Sequence, residues 1–149
     1  MLVRYKGGAR GVLHASQVSV GEENNLNIRV HGSEGSIQWF QEHPNWLYFR
    51  KLGGPERILK RGNDYLSPAA QHASRLPSGH PEAFLEAFAN IYASAARTIA
   101  ARIAGHEPGE FDTDFPTVQD GARGVHFILT SLESGRQRKW TDAAYTPPE

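Results

Sequence analysis

The sequence has no cysteine and no excess of either charge. Without cysteine, neither disulfide bonds nor thiolate metal sites can form in its 149 residues. Sixteen basic side chains balance sixteen acidic ones, so the net charge gives no indication of binding to nucleic acid or to an anionic membrane. No apolar run resembles a signal peptide or a membrane-spanning helix. We therefore expect a cytoplasmic protein whose partners include neither nucleic acids nor membranes.

The first sixty residues consist of short apolar segments separated by turn-forming residues. Leu26, Ile28 and Val30 alternate with polar residues, which predicts a strand with one buried face. Comparable segments predict strands over residues 2–5, 9–20, 36–40, 46–51 and 57–60. Because short turns join these segments, and parallel neighbours would need crossover helices, the strands are expected to form a mainly antiparallel sheet.

Two long amphipathic helices are predicted after a polar connector over residues 61–80. Pro81 suits the first helical position, which places His80 at the N-cap of a helix over 81–104 that ends at Gly105. Its apolar residues recur at helical spacing and form a stripe of Phe84, Phe88, Ile91, Tyr92, Ala95, Ile99 and Ile103. Thr117 and Asp120 have the spacing of a capping box and predict a second helix over 118–134.

The order of these elements predicts the fold class. Strands first and helices afterwards indicate a single α+β domain over residues 1–149, an open, mainly antiparallel sheet with two helices packed on one face. The other face then needs cover, and the surplus of aromatic side chains there suggests burial against a second subunit. Stacking on a sugar is the alternative role of these side chains, which are Trp39, Trp46, Tyr48 and Phe49.

His80 is the strongest candidate for a functional side chain. It follows Gly79 at the predicted start of the long helix, where an imidazole would be exposed to a polar ligand. The alternative is an N-cap that only orders the loop. Helix capping explains Asp120, and a solvated loop explains Asp112 and Asp114 better than a cation site does. The histidines lack metal-ligand spacing, and the sequence predicts no catalytic, cofactor-binding or metal-binding residue.

The pentapeptide Gly-Ala-Arg-Gly-Val occurs twice, at Gly8–Val12 and at Gly121–Val125. The first copy falls in a predicted strand and the second in a predicted helix, and neither matches a glycine motif for dinucleotides or triphosphates. We interpret the repetition as coincidence.

Four segments, in their order along the chain, resemble the C-terminal half of the glucose-fructose oxidoreductase, inositol dehydrogenase and MocA family. The segments are 10–19, 28–39, 77–92 and 115–134. Their most specific parts are His31-Gly32-Ser33-Glu34-Gly35-Ser36, Gly79-His80-Pro81-Glu82-Ala83-Phe84 and Pro116-Thr117-Val118-Gln119-Asp120-Gly121.

The resemblance implies a C-terminal domain like that of dihydrodipicolinate reductase, taken from an NAD(P)-dependent oxidoreductase that acts on CH–OH groups of sugars or polyols. The family's Rossmann domain, with its glycine fingerprint and Glu-Lys-Pro motif, has no match in this sequence. The D-x-x-x-H pair of the family has no match either. NAD or NADP is therefore expected in full-length relatives and not on this chain alone.

His80 matches a family position near the substrate cleft, so the resemblance implies that it contacts substrate. We predict a C-terminal substrate-binding and oligomerisation domain that forms a homo-oligomer through the open face of its sheet and is inactive alone. A stand-alone carbohydrate-binding or scaffolding protein derived from that domain is the alternative. A small enzyme built around His80, Asp120 and a loop histidine is a second one.

Overall fold

The computed structural model describes residues 1–147. Contacts within the chain divide it into two units, one of Met1–Val20 with Pro116–Glu149 and the other of Gly21–Phe115. The single domain over 1–149 stays a prediction. Among the helices of the described residues, none combines the length and the apolar character needed to span a membrane.

Strands precede helices along the chain, and the α+β class is confirmed. The elements are β1 Leu2–Arg4, β2 Arg10–Val12, β3 Asn27–His31, β4 Gly35–Phe40, β5 Trp46–Lys51, β6 Glu56–Lys60, α1 Pro68–His72, α2 Phe84–Ile103 and α3 Val118–Gln137. All strand pairs are antiparallel, but they form a two-stranded sheet, β1-β2, and a four-stranded one, β3-β4-β5-β6. The strand predicted over 9–20 is shorter in the structure and extends only over β2. Its partner β1 has three residues, and these pair only with Arg10–Val12.

The register of the four-stranded sheet gives it one strongly apolar face. Val30 lies opposite Ile37, which lies opposite Phe49, and residues directly opposite share a face. We call this side the apolar face; it carries Ile28, Val30, Ile37, Trp39, Leu47, Phe49 and Leu59. Trp46 and Tyr48 lie on the opposite face. The aromatic side chains are therefore divided between both faces of the sheet.

The apolar stripe of α2 is exposed, contrary to the expectation that it would cover the sheet. Phe88 is 46% and Ile99 58% exposed. A different side of α2, formed by small and polar residues, is buried instead. There the Thr98 hydroxyl donates to the Asp112 carbonyl at 2.6 Å. The following loop therefore covers this polar side and leaves the stripe open.

The ends of the long helices follow local capping rules. Gly105, at φ 78°, ends α2 with a Schellman motif in which the His106 amide donates to the Ala101 carbonyl at 3.1 Å. At the start of α3 the capping box is confirmed, because the Asp120 amide donates to the Thr117 hydroxyl and the Asp120 carboxylate accepts the Thr117 amide. The predicted end of α3 near residue 134 is three residues short of Gln137.

Candidate functional site

The loop that carries His80 ends before the helix begins. α2 starts at Phe84 with Ala83 as its N-cap, so the prediction of His80 as N-cap is wrong. The Glu86 carboxylate accepts the Ala83 amide at 2.9 Å, and this bond lowers the pKa of Glu86. Pro81 does not begin the helix. The carboxylate of Glu82, the next residue, accepts the amides of Arg75 and Leu76 in the preceding loop and does not cap the helix.

Glu82 is a buried carboxylate with only 6% of the residue exposed. Its Oε2 accepts the backbone N–H of Arg75 at 2.8 Å and that of Leu76 at 2.5 Å. The same oxygen is 2.7 Å from Nη1 of Arg61, whose side chain is 17% exposed. A buried charge is tolerated only when it is paired and hydrogen-bonded, and Glu82 meets both conditions.

Arg61, the residue after β6, donates to the loop along its length. Its Nη1 donates to the Leu76 carbonyl at 2.6 Å, and Nη2 donates to the Pro77 carbonyl at 3.3 Å and to the His80 carbonyl. Its Nε donates to Oδ1 of Asn45 at 2.7 Å. The planar guanidinium fork therefore holds three carbonyls of one loop in a fixed arrangement.

Asn45 completes this arrangement from the turn between β4 and β5. Its Nδ2 donates to the Glu82 carbonyl at 2.9 Å, and its Oδ1 accepts the Glu82 amide at 3.1 Å. We call these three residues the Asn45–Arg61–Glu82 cluster. It joins the β4–β5 turn, the end of β6 and the segment before α2. The sequence analysis missed it because the three residues are far apart in the chain and each has an ordinary local explanation.

His80 has a fixed backbone and an exposed side chain. Its amide donates to the Pro77 carbonyl at 3.2 Å and its carbonyl accepts from Arg61, while Gly79 takes the left-handed conformation at φ 86°. Within residues 1–147, the imidazole has no hydrogen-bond partner. An imidazole nitrogen held in this way can donate to or accept from a ligand hydroxyl.

Two shallow cavities lie elsewhere in the described residues. One, of about 460 Å³, lies between β1, α3 and residues 140–143, where the guanidinium of Arg4 is 4.0 Å from the ring centre of Trp140. The other, of about 610 Å³, lies at the β3–β4 turn beside Phe49 and Lys51. His80 lines neither of these two cavities, and its side chain lies on an exposed loop.

The described residues do not fit a dinucleotide. A pyrophosphate binds where a strand leads through glycines to a free helix N-terminus in a parallel sheet. Here the strands are antiparallel, and the carboxylates of Glu86 and Asp120 occupy the N-terminal ends of α2 and α3. A second negative group there would meet like charge.

The acidic loop after α2 is used internally. Asp112 forms an ion pair with Arg97, which lowers the pKa of Asp112, and its side chain also accepts the Gly109 amide. In residues 1–147 no group of three or more His, Asp or Glu side chains is placed to hold a metal ion. A cation at Asp112 would have to displace the guanidinium of Arg97.

Known proteins resemble the chain over nearly its whole length. No protein-family model matches it. An uncharacterized oxidoreductase of Bacillus subtilis, YfiI, is 32% identical over 137 residues, which are 92% of this chain and 35% of that protein. An oxidoreductase structure from Sinorhizobium meliloti has a TM-score of 0.81 and 43% identity, over 92% of this chain and 38% of that one. The chain matches the C-terminal part of an oxidoreductase like those of the glucose-fructose oxidoreductase, inositol dehydrogenase and MocA family.

Two structures from Azotobacter vinelandii add a chemical context for this resemblance. One is an inositol dehydrogenase homologue complexed with NAD⁺, at a TM-score of 0.78 and 34% identity over 93% of this chain. The other is described as complexed with NADH and myo-inositol, at a TM-score of 0.77. The chain covers 36% of each. It therefore spans little more than a third of the oxidoreductases that it matches.

Proposed function

We propose that this chain supplies the substrate-binding and oligomerisation part of an NAD(P)-dependent oxidoreductase acting on a sugar or polyol in the cytoplasm. The observation that carries the proposal is the match to the inositol dehydrogenase homologue with NADH and myo-inositol, at 34% identity over 91% of this chain. In this function, the nicotinamide and the acid–base groups of hydride transfer come from sequence outside these residues. The chain contributes substrate contacts and subunit contacts.

His80 is the residue that we propose to contact the substrate. Its imidazole is exposed and lacks a hydrogen-bond partner in the described chain, while its backbone is anchored on both sides. Such an imidazole can pair with a polyol hydroxyl, because a hydroxyl both donates and accepts hydrogen bonds. The contact would be one of several that orient the carbinol carbon toward the nicotinamide.

Exposed area supports the proposal that this part also mediates assembly. The chain exposes 12229 Å². Two separate compact bodies of the sizes of the two units would together expose about 9,000 Å². The exposed residues include many large apolar ones, among them Val30 and Ile37 on the apolar face of the sheet and Phe88 and Ile99 on α2. Surfaces of this kind are typical of interfaces between subunits.

The activity is tested by following nicotinamide absorbance with a panel of polyols and sugars that includes myo-inositol. The polypeptide that contains these residues with its dinucleotide-binding part should reduce NAD⁺ or NADP⁺, and the pure 149-residue chain should not. In the active polypeptide, His80→Ala should raise KM for the polyol between about twofold and tenfold, the value of one hydrogen bond. The exposed histidine His14 offers a matched control, and His14→Ala should leave KM unchanged.

Two outcomes would contradict the proposal. Robust turnover by the 149-residue chain alone would place the chemistry within it, and an unchanged KM in His80→Ala would remove His80 from the substrate site. A carbohydrate-binding or scaffolding protein would bind polyols without any turnover in the longer polypeptide. Sedimentation tests the assembly role, and a strict monomer in both forms of the protein would oppose it.

A further inference from the structure

The Asn45–Arg61–Glu82 cluster holds the most deeply buried ion pair of the described residues, with side-chain exposures of 17% for Arg61 and 5% for Glu82. The other ion pairs each involve at least one side chain exposed by more than 40%. A buried ion pair seldom adds much stability over apolar packing, and in some proteins such pairs serve to fix one conformation.

The hydrogen bonds of Arg61 indicate which conformation is fixed. Three of its bonds go to carbonyls of the loop, at Leu76, Pro77 and His80. A carbonyl group can be reached by many donors, but three carbonyls and a carboxylate together require a planar fork with several N–H groups. Lysine has the charge to pair with Glu82, but its single ammonium cannot reach this set of acceptors.

The remaining members hold the guanidinium itself in place. Oδ1 of Asn45 accepts Nε of Arg61 at 2.7 Å, and Glu82 approaches Nη1 at 2.7 Å from the other side. Gly62, which follows Arg61, adopts φ 72°, and a Cβ there would lie 3.0 Å from the Ser78 amide. The chain after β6 therefore lies directly against the loop, and the position of the loop is set from the sheet.

We propose that Arg61 is a positioning residue that fixes the loop of residues 76–80 and thereby holds His80 where it contacts the polyol, an inference that rests on the proposed function. Arg61 touches neither substrate nor cofactor in this role. It acts through the backbone of His80, whose carbonyl it binds, and leaves the imidazole free. Loss of the fork lets the loop move, and displacement by about 1 Å is sufficient to weaken a substrate contact severely.

The test uses Arg61→Lys, which keeps the charge opposite Glu82 and removes the fork. Arg57→Lys is the matched control, because Arg57 is an exposed arginine of β6 with no side-chain hydrogen bond or ion pair in the described chain. Amide hydrogen exchange in residues 75–80 is measured for both variants in the polypeptide that contains these residues. Steady-state kinetics with polyol and with nicotinamide cofactor follow on the same samples.

Arg61→Lys should accelerate exchange in residues 75–80 by about tenfold or more, and should raise KM for the polyol by a similar factor with KM for the cofactor unchanged. Arg57→Lys should change neither. A purely structural role would lower the melting temperature without this selective rise in the polyol KM. If Arg61→Lys does not fold, Asn45→Ala should produce the same changes to a smaller degree. This substitution leaves the ion pair intact and removes one anchor of the guanidinium together with the two bonds to the Glu82 backbone.

Unchanged exchange in the folded variants would overturn the inference, and so would faster exchange with an unchanged polyol KM. The proposed function fails separately, if the unsubstituted polypeptide turns over no polyol or sugar. The exchange measurement then still decides whether Arg61 fixes the loop.

Discussion

Replacing Glu82 by glutamine should destabilise the protein by about 2–3 kcal/mol. Removing one partner of a buried ion pair costs about 3–5 kcal/mol, because the other charge is left without compensation. Arg61 keeps its bonds to Asn45 and to three carbonyls and is 17% exposed, which reduces the cost to the lower end of that range or below it. In glutamine an NH₂ group replaces one of the two oxygens, so either the Arg75 amide, which donates to both oxygens, or the Arg61 guanidinium faces a donor instead of an acceptor.

Urea denaturation followed by tryptophan fluorescence and by circular dichroism measures this loss. With an m-value of about 1.5–2 kcal/mol/M, the midpoint should fall by about 1–2 M urea with the slope unchanged. Glu110→Gln is the control, since Glu110 is exposed and forms no side-chain bond in the described residues, and it should lie within about 0.5 kcal/mol of the parent. A Glu82→Gln protein as stable as the control would refute the assignment of Glu82 as a buried, paired carboxylate.

Two further predictions concern backbone packing and pH. Gly35→Ala should destabilise the sheet by about 1–3 kcal/mol in the same assay, because a Cβ would lie 2.4 Å from the Arg50 carbonyl oxygen, whereas Gly124→Ala, in the open space of α3, should stabilise by about 0.5–1 kcal/mol. The Thr117 hydroxyl and amide lower the pKa of Asp120 below its ordinary 3.8, so its contribution to α3 is complete above that pH and is lost as the pH falls through the lower folded value. A carboxyl titration by NMR checks this, and an Asp120 that titrates at 3.8 or above would contradict it.

Most of the fold could be predicted from local patterns. The strands β3 to β6 were found within one or two residues because their apolar residues alternate and turn-forming residues separate them. The Thr117–Asp120 box marked the start of α3, since capping uses residues three apart in sequence. Such signals depend only on neighbours along the chain, which a single sequence contains.

The start of α2 and the candidate site could not be predicted in the same way. Pro81 and Glu82 form a normal helix-start signal, but the carboxylate of Glu82 binds Arg61 and the amides of Arg75 and Leu76. That choice depends on a residue brought close by the sheet. His80 was selected from the sequence, and its role as a substrate contact stays a prediction.

The repeated pentapeptide illustrates the same limit. Gly8–Val12 forms a turn and β2, and Gly121–Val125 lies within α3, although the five residues are identical. The first copy is placed by pairing with β1, and the second by the capping box at Thr117. The conformation is therefore determined by the flanking sequence.

The meander topology of β3 to β6 has a consequence for the order in which the chain is made. Each strand pairs with the one synthesised immediately before it, so the sheet needs no residue beyond Lys60 to be complete. Asn45 and Arg61 then already stand together, joined by the bond between Oδ1 and Nε. In a chain that emerges from the ribosome N-terminus first, the sheet, Asn45 and Arg61 leave the ribosome before Glu82 does. We expect the loop bearing His80 to fold onto this sheet as it follows.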